Sequence, residues 1–265
     1  MPNVERIMSR DNRRLVHARK VRDGKVATQV FIEGKRLVIE ALRSDIDLDA
    51  CFVTEGFEGR ELLGKIAQRT TPIAEMPERL FNSIADTSQP QGIILIAKRP
   101  RTSLDALGSS LKGTGLPIVI FLTEINDPSN LGAVLRTAEA AGAAGVIIST
   151  NSADAYSPKA LRASMGASFR LPVCEGAEFE EVMDWARAEK LRTIAAVAGS
   201  GRNYVDIVWK EPALLVLGSE AHGLTLQQLD RIEEQVGIPM ENDVESLNLA
   251  VSAGIILFEA KRQNT

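Results

Sequence analysis

Three observations predict an α/β protein built in two units. Short apolar runs bounded by turn residues alternate with amphipathic stretches along most of the chain. Runs in the second half, such as residues 117–123 (PIVIFLT), are continuously apolar, as parallel strands covered on both faces are. An interval rich in Gly, Ser, Pro and Lys, residues 98–116, divides the two alternating regions and reads as a linker. The expected organisation is a small α/β unit over 1–97, that linker, and a larger unit over 117–265 with a mostly parallel sheet flanked by helices.

In the first unit, EGKRLVIEALRS places Leu37, Val38, Ala41 and Leu42 at helical spacing. LDACFVTE reads as a strand, GRELLGKIAQR as a helix and TPIAEM as a short extended piece. PERLFNSIADT is a helix with Pro77 near its first position, and GIILIAKRP is a buried strand. Residues 1–30 carry eight Lys or Arg against three acids. Such an excess suits phosphates; it equally suits a solvated helix end or a tail, and composition leaves both open.

In the second unit, Asp127 and Pro128 have the character of N-cap and first helical residue, opening a helix to about Ala141 that Gly142 stops. GVIIS is a strand, Ser157-Pro158 opens a second helix, and FRLPVCE is extended. EFEEVMDWARAEK is a helix with acids first and a base last, matched to its dipole. RTIAAVA, ALLVLG and VGIPM are strands and TLQQLDRIEEQ a helix. A long apolar helix from Leu247, capped by Ser246, closes the chain. Gly254 in its interior costs about 1 kcal/mol relative to Ala, so close packing is expected there. A helix apolar on most sides is buried, against the chain or a second subunit.

Bulk properties narrow the function. The 265 residues are 45% hydrophobic and 25% charged, an ordinary globular mix. No apolar run spans a bilayer and the first ten residues lack the apolar core of a signal, so no membrane partner is expected. Cys51 and Cys174 lie far apart in apolar settings, which suits a reduced, cytoplasmic protein. His17 and His222 with no Cys cluster argue against zinc, and no metal is expected. No P-loop, HExxH, CxxC or serine triad occurs.

Three loops after apolar strands hold unusual polar residues. NDPSNLGAVLRTAEAAG contains Asn130 and Arg136. Arg136 stands among small and apolar residues, where an Arg has an anionic partner more often than not. LLVLGSEAHGL runs a strand into Gly218, Glu220 and Gly223; Glu220 reads equally as a capping carboxylate, and His222 as a loop residue rather than a base. VESLNLAVSAG holds Ser246 and Asn248 where a helix N-terminus offers free N–H groups to an anion or polar ligand edge. Asn248 is a poor helix former with no need to be there.

Together these loops resemble motifs 1, 2 and 3 of the SpoU (TrmH) family of RNA 2′-O-ribose methyltransferases, in order and at the right spacing, over residues 117–262. SPKALRASMGASFRLPV between motifs 1 and 2 is also similar, and FIEGKRLVIEAL resembles the family's small L30e-like substrate-binding domain. Two details depart from the pattern: Ala221-His222 precede Gly223 in motif 2, and ENDVE follows Met240 in motif 3. The resemblance implies a trefoil-knotted (SPOUT) C-terminal domain, a homodimer packed through motif 1 and the last helix, and S-adenosylmethionine (SAM) as methyl donor. It carries cofactor contacts to Leu217, Gly218, Ile238, Met240 and Leu247, and the catalytic set to Asn130, Arg136, Glu220, Ser246 and Asn248. The implied substrate is RNA, ribosomal or transfer RNA, and a separate first unit without a long basic tail favours ribosomal RNA. In that reading Arg136 grips an RNA phosphate, since guanidinium hardly deprotonates, and Arg162 and Arg170 are further RNA contacts. Alternatives are an inactive RNA- or ribosome-binding protein that keeps the fold, and a knotted enzyme that methylates a base.

Overall fold

A computed structural model describes residues 4–111, 113, 115–242 and 244–265. In chain order its strands and helices begin β1 (Val4–Arg6), α1 (Arg13–Arg22), β2 (Gln29–Glu33), α2 (Lys35–Arg43), β3 (Leu48–Thr54), α3 (Arg60–Gln68), β4 (Ile73–Met76), α4 (Glu78–Asn82) and β5 (Ile93–Lys98). They continue α5 (Leu104–Ser110), β6 (Leu116–Leu122), α6 (Pro128–Ala141), β7 (Ala143–Ser149), α7 (Pro158–Ser164) and β8 (Val173–Ala177). The last are α8 (Phe179–Ala188), β9 (Arg192–Ala196), β10 (Ala213–Leu217), α9 (Leu226–Leu229), β11 (Glu234–Val236) and α10 (Leu249–Asn264).

The chain divides into two compact units: residues 1–100 with 156–169, and residues 101–155 with 170–265. The first holds a mixed sheet in the order β1-β4-β3-β5-β2, with β1, β4 and β3 parallel and β5 antiparallel to both its neighbours. Helix α1 falls inside the basic segment and buries Leu15, Ala18 and Val21 against Phe31, Phe52 and Phe81. Much of the segment is therefore a folded part of this core. Its cations are partly consumed: Arg6 pairs with Glu55, Arg14 with Glu5 and Arg22 with Asp23. Arg10, Arg13, Lys20 and Lys25 stay exposed. The stretch 156–169, expected in the second unit, clusters with the first. Its α7 lies by β2, and Arg162 meets Asp86 at 2.6 Å.

The second unit holds an all-parallel sheet in the order β11-β9-β10-β6-β7-β8. Continuous apolar strands suit it, because helices cover both faces; β6 and β10 are buried almost throughout. Part of the interval read as a linker is folded here as α5, whose Leu107 is fully buried beside Val119, Phe121 and Trp185. Leu104, Leu107 and Leu111 stand at helical spacing, and all three pack on this core. Lys112 and Thr114, also in that interval, lie outside the described residues. Both cysteines are free and buried, and burial pushes the Cys51 thiol up to about 12, so it stays protonated.

The α6 boundaries agree with the sequence reading: Asp127 accepts from the Ser129 N–H, and Gly142 ends the helix at φ +88°. Ser157 likewise caps α7. Two expected elements differ. TLQQLDRIEEQ forms only the single turn α9, and the strand after it is Glu234–Val236 rather than VGIPM.

Candidate active site

The residues following β9, β10 and β11 line a cleft of about 540 Å³ in the second unit. The position follows from topology. From the neighbouring strands β6 and β10 the chain departs in opposite directions across the sheet, and ligands in parallel sheets settle beyond the carboxyl ends at such a point.

One wall is the loop after β10. Ser219 and Gly223 close it by exchanging backbone hydrogen bonds at 3.1 and 2.9 Å. Two glycines permit this for different reasons. A Cβ on Gly218 would lie 2.3 Å from the Gly223 carbonyl carbon and 2.5 Å from the Leu224 nitrogen, so only glycine fits against that backbone. Gly223 has open space but a φ of +65°. Gly218 thus lets the chain approach itself, and it also lines the cleft.

A second wall is the start of α10, which packs along α6. Asn248, not Ser246, is the N-cap: its Oδ1 accepts from the Ala250 N–H at 2.9 Å, and the helix begins at Leu249, two residues later than expected. Asn and Ser cap comparably, so propensity could not choose between them. What selects Asn248 is its other end. Asn248 Nδ2 donates to Asn130 Oδ1 at 3.0 Å, and Asn130 Nδ2 donates to Glu220 Oε1 at 2.6 Å. The relay has one consistent polarity. The Ala250 N–H can only donate and a carboxylate can only accept, so both amides must face the same way.

Nine of the ten predicted site residues line this cleft: Asn130, Leu217, Gly218, Glu220, Ile238, Met240, Ser246, Leu247 and Asn248. Arg136 does not. It is exposed on α6, with no ion pair among the described residues. Sequence reasoning missed Ala196 to Ala198, Ser252 and Ile256 as lining residues, because residues of these types at a strand end or inside an apolar helix carry no signal of that role. It also set His222 aside, yet His222 lines the cleft. Arg170 pairs with Glu139, and Gly254 is not tightly packed within the chain: a Cβ there would meet Thr137 Cγ2 at an ordinary 3.5 Å.

The lining chemistry defines a ligand class. Leu217, Leu224, Val236, Ile238, Met240 and Leu247 make apolar walls, with a few amides and hydroxyls at the rim. No Lys or Arg among the described residues lines it. The volume is that of a site for a cofactor-sized molecule. A nucleoside cofactor without phosphates fits, and SAM is one. Among the described residues, no cluster of His, Cys, Asp or Glu is placed to hold a metal ion.

A parallel sheet with a cofactor-sized cleft beyond its strand ends, in a chain with a second, smaller α/β unit, is the arrangement of a cofactor-binding α/β protein. Residues 117–258 match the SpoU rRNA methylase family, and residues 31–103 match a family described as RNA 2′-O ribose methyltransferase substrate binding. The chain belongs to the SpoU family and is a SAM-dependent RNA methyltransferase. It is 33% identical over 240 residues to an uncharacterized tRNA/rRNA methyltransferase of Mycolicibacterium paratuberculosis, covering 87% of this chain and 76% of that protein. It is 27% identical over 268 residues to the 23S rRNA (guanosine(2553)-2′-O)-methyltransferase RlmP of Bacillus subtilis, covering 97% and 100%. An AdoMet-bound rRNA methyltransferase from Sinorhizobium meliloti superposes with a TM-score of 0.86 at 27% identity, covering 98% of each chain.

Proposed function

We propose that the protein methylates a ribose 2′-hydroxyl of ribosomal RNA, acting in the cytoplasm as a homodimer. The observation that carries the reading is the Glu220–Asn130–Asn248 relay at the rim of a phosphate-free nucleoside cleft. Two amides held in one orientation there give fixed hydrogen-bonding groups where a neutral, polar acceptor such as a ribose would lie. Similarity to the 2′-O-methyltransferase RlmP supports the choice of ribose over base.

In this reading Leu217, Gly218, Ile238, Met240 and Leu247 hold SAM, whose sulfonium makes its methyl group electrophilic. A ribose hydroxyl is a poor nucleophile, so alignment and charge placement supply most of the acceleration. Asn130, Asn248 and Ser246 orient the ribose, and Glu220 fixes the relay's polarity. Arg136 grips an RNA phosphate. The first unit, which holds nearly all of the 31–103 match and is read as L30e-like, binds RNA with help from the exposed Arg10, Arg13, Lys20 and Lys25. A trefoil knot over the segments around 217–248 accounts for three separate loops converging on one cleft.

Tritium transfer from labelled SAM to ribosomal RNA, followed by nuclease mapping, tests the reaction; label on a base overturns it. Arg136→Ala is expected to weaken RNA binding and turnover together by about 10-fold or more, the scale of one charge-assisted phosphate contact. Full turnover with unchanged RNA affinity excludes the phosphate role.

The dimer reading rests on the outer face of α10. Val251 and Phe258, two turns apart, are 50% and 49% exposed, with Gly254 between them. A second copy is the expected cover, because α10 and α6 would then pack as a pair against their equivalents. Sedimentation equilibrium should show a dimer for the native chain and a monomer for Phe258→Arg; a native monomer removes this part of the proposal.

A further inference from the structure

The first unit holds a cavity of its own, of about 370 Å³. Its lining includes Glu5 on β1, Arg14 on α1, and Ala67, Thr71, Pro72 and Ile73 from the end of α3 and the turn into β4. Strands β1 and β4 pair directly, with Val4 opposite Ile73, so these segments are neighbours. Two buried polar atoms of these side chains, Arg14 Nη2 and Thr71 Oγ1, have no hydrogen-bond partner among the described residues. Thr71 is only 5% exposed. Nearly every buried polar group in a protein is bonded, and an unbonded one is costly. Two on one cavity are what a ligand with its own polar edge would complete.

The Arg14 guanidinium is held still. Its Nη1 donates to Glu5 Oε2 at 2.8 Å, and its carbon lies 5.5 Å from the centroid of the Phe52 ring. Thr71 follows Thr70, whose φ of +56° is a left-handed turn that a β-branched residue rarely adopts. Together Arg14 and Glu5 set a donor beside an acceptor and carry no net charge, so the pair suits a neutral group better than a free anion. The edge of an unpaired nucleobase has the matching form, an acceptor beside an N–H donor, in all four bases of RNA. Ala67, Pro72 and Ile73 supply apolar surface for the ring. Arg13, next to Arg14 on α1, is exposed and can meet the phosphate that comes with a base.

We propose that this cavity binds one unstacked base of the RNA substrate and so selects single-stranded over duplex RNA. The role rests on reading the first unit as RNA-binding, and Ala67 to Ile73 lie within its 31–103 match. Arg14 Nη2 donates to a carbonyl oxygen or ring nitrogen of the base, Glu5 accepts from the neighbouring N–H, and Thr71 Oγ1 bonds the same edge. In a duplex that edge is already paired with its complement.

Fluorescence anisotropy with a short labelled RNA strand, and with the same strand in a duplex, tests this on the full chain saturated with SAM. The native chain should favour the strand by about 5-fold or more, the low end of what one base-edge contact is worth. Thr71→Val keeps the shape and removes the hydroxyl. It should bind the strand about 5-fold or more weaker and the duplex as the native chain does. It should also melt at or above the native temperature, because it deletes an unbonded buried group. Thr71→Ser keeps the hydroxyl and should keep the strand preference. A Thr71→Val chain with the native preference overturns the site. So does one that melts several degrees lower, since the hydroxyl is then bonded within the fold. Filter binding of ribosomal RNA separates the two failures. Ribosomal RNA bound with no preference for strand over duplex removes this cavity alone, whereas no RNA bound at all removes the RNA role of the unit and this site with it.

Discussion

Asn248→Asp should keep the native melting temperature within a few degrees and lose methyl transfer by about 100-fold or more, the cost of misplacing reacting groups by about 1 Å. Aspartate caps a helix as well as asparagine, so the bond from the Ala250 N–H survives. What it lacks is the Nδ2 donor to Asn130 Oδ1. If Asn130 keeps its orientation, two oxygens face each other; if it flips, its oxygen faces Glu220 instead. Neither arrangement satisfies the relay, and like-charge or acceptor pairs at partly exposed sites relax by moving apart. Asn248→Ala removes cap and relay together. It should cost about 1 kcal/mol of stability, a fall of roughly 2–4 °C in a chain of this size, along with the same loss of activity. Thermal melts beside tritium-transfer rates separate the two. If Asn248→Asp turns over normally while Asn248→Ala loses activity only as it melts, Asn248 is a helix cap and nothing more.

Gly218→Ala should abolish measurable SAM binding while leaving both sheets folded. The added carbon meets only backbone, 2.3 to 2.7 Å from Gly223 and Leu224. No side-chain rotation relieves such a contact, so the loop from Ser219 to Gly223 must move away from the strand. That shifts Glu220 and His222 and opens the cleft wall formed by Leu217 and Leu224. Gly223→Ala is the informative contrast. It meets nothing within 4 Å, and its cost is the left-handed backbone alone, about 1–2 kcal/mol for a residue with a Cβ. Calorimetry should therefore find SAM binding weakened in Gly223→Ala and absent in Gly218→Ala. Near-native affinity in Gly218→Ala means the loop is not a cofactor wall.

Much of the second unit was legible in the chain. Asp127-Pro128 and Gly142 bracketed α6 to the residue, because capping and a left-handed stop are local chemistry carried by particular side chains. The first thirty residues were less so. Charge masked the helical spacing of Leu15, Ala18 and Val21, whose meaning depends on Phe31, Phe52 and Phe81 arriving from elsewhere in the chain. The interval 98–116 was read from its Gly and Ser, and three leucines at helical spacing were outweighed. They form α5 because Leu107 finds a place against β7.

The same division runs through the site. The sequence marked three polar loops beyond apolar strands, and its resemblance to a family named ten residues on them, nine of which line the cleft. It determined equally that α10 would begin near Ser246. Tertiary structure alone decided that Asn248 is the cap, because the competing Ser246 has no amide to complete a relay with Asn130, 118 positions away. Only the fold could give that relay its direction, leave Arg136 outside the cleft, and leave His222 inside it with an uncommitted ring. Capping propensity narrows a helix start to a few candidate residues; hydrogen-bond partners drawn from three loops, which choose among them, exist only once the chain has brought those loops together.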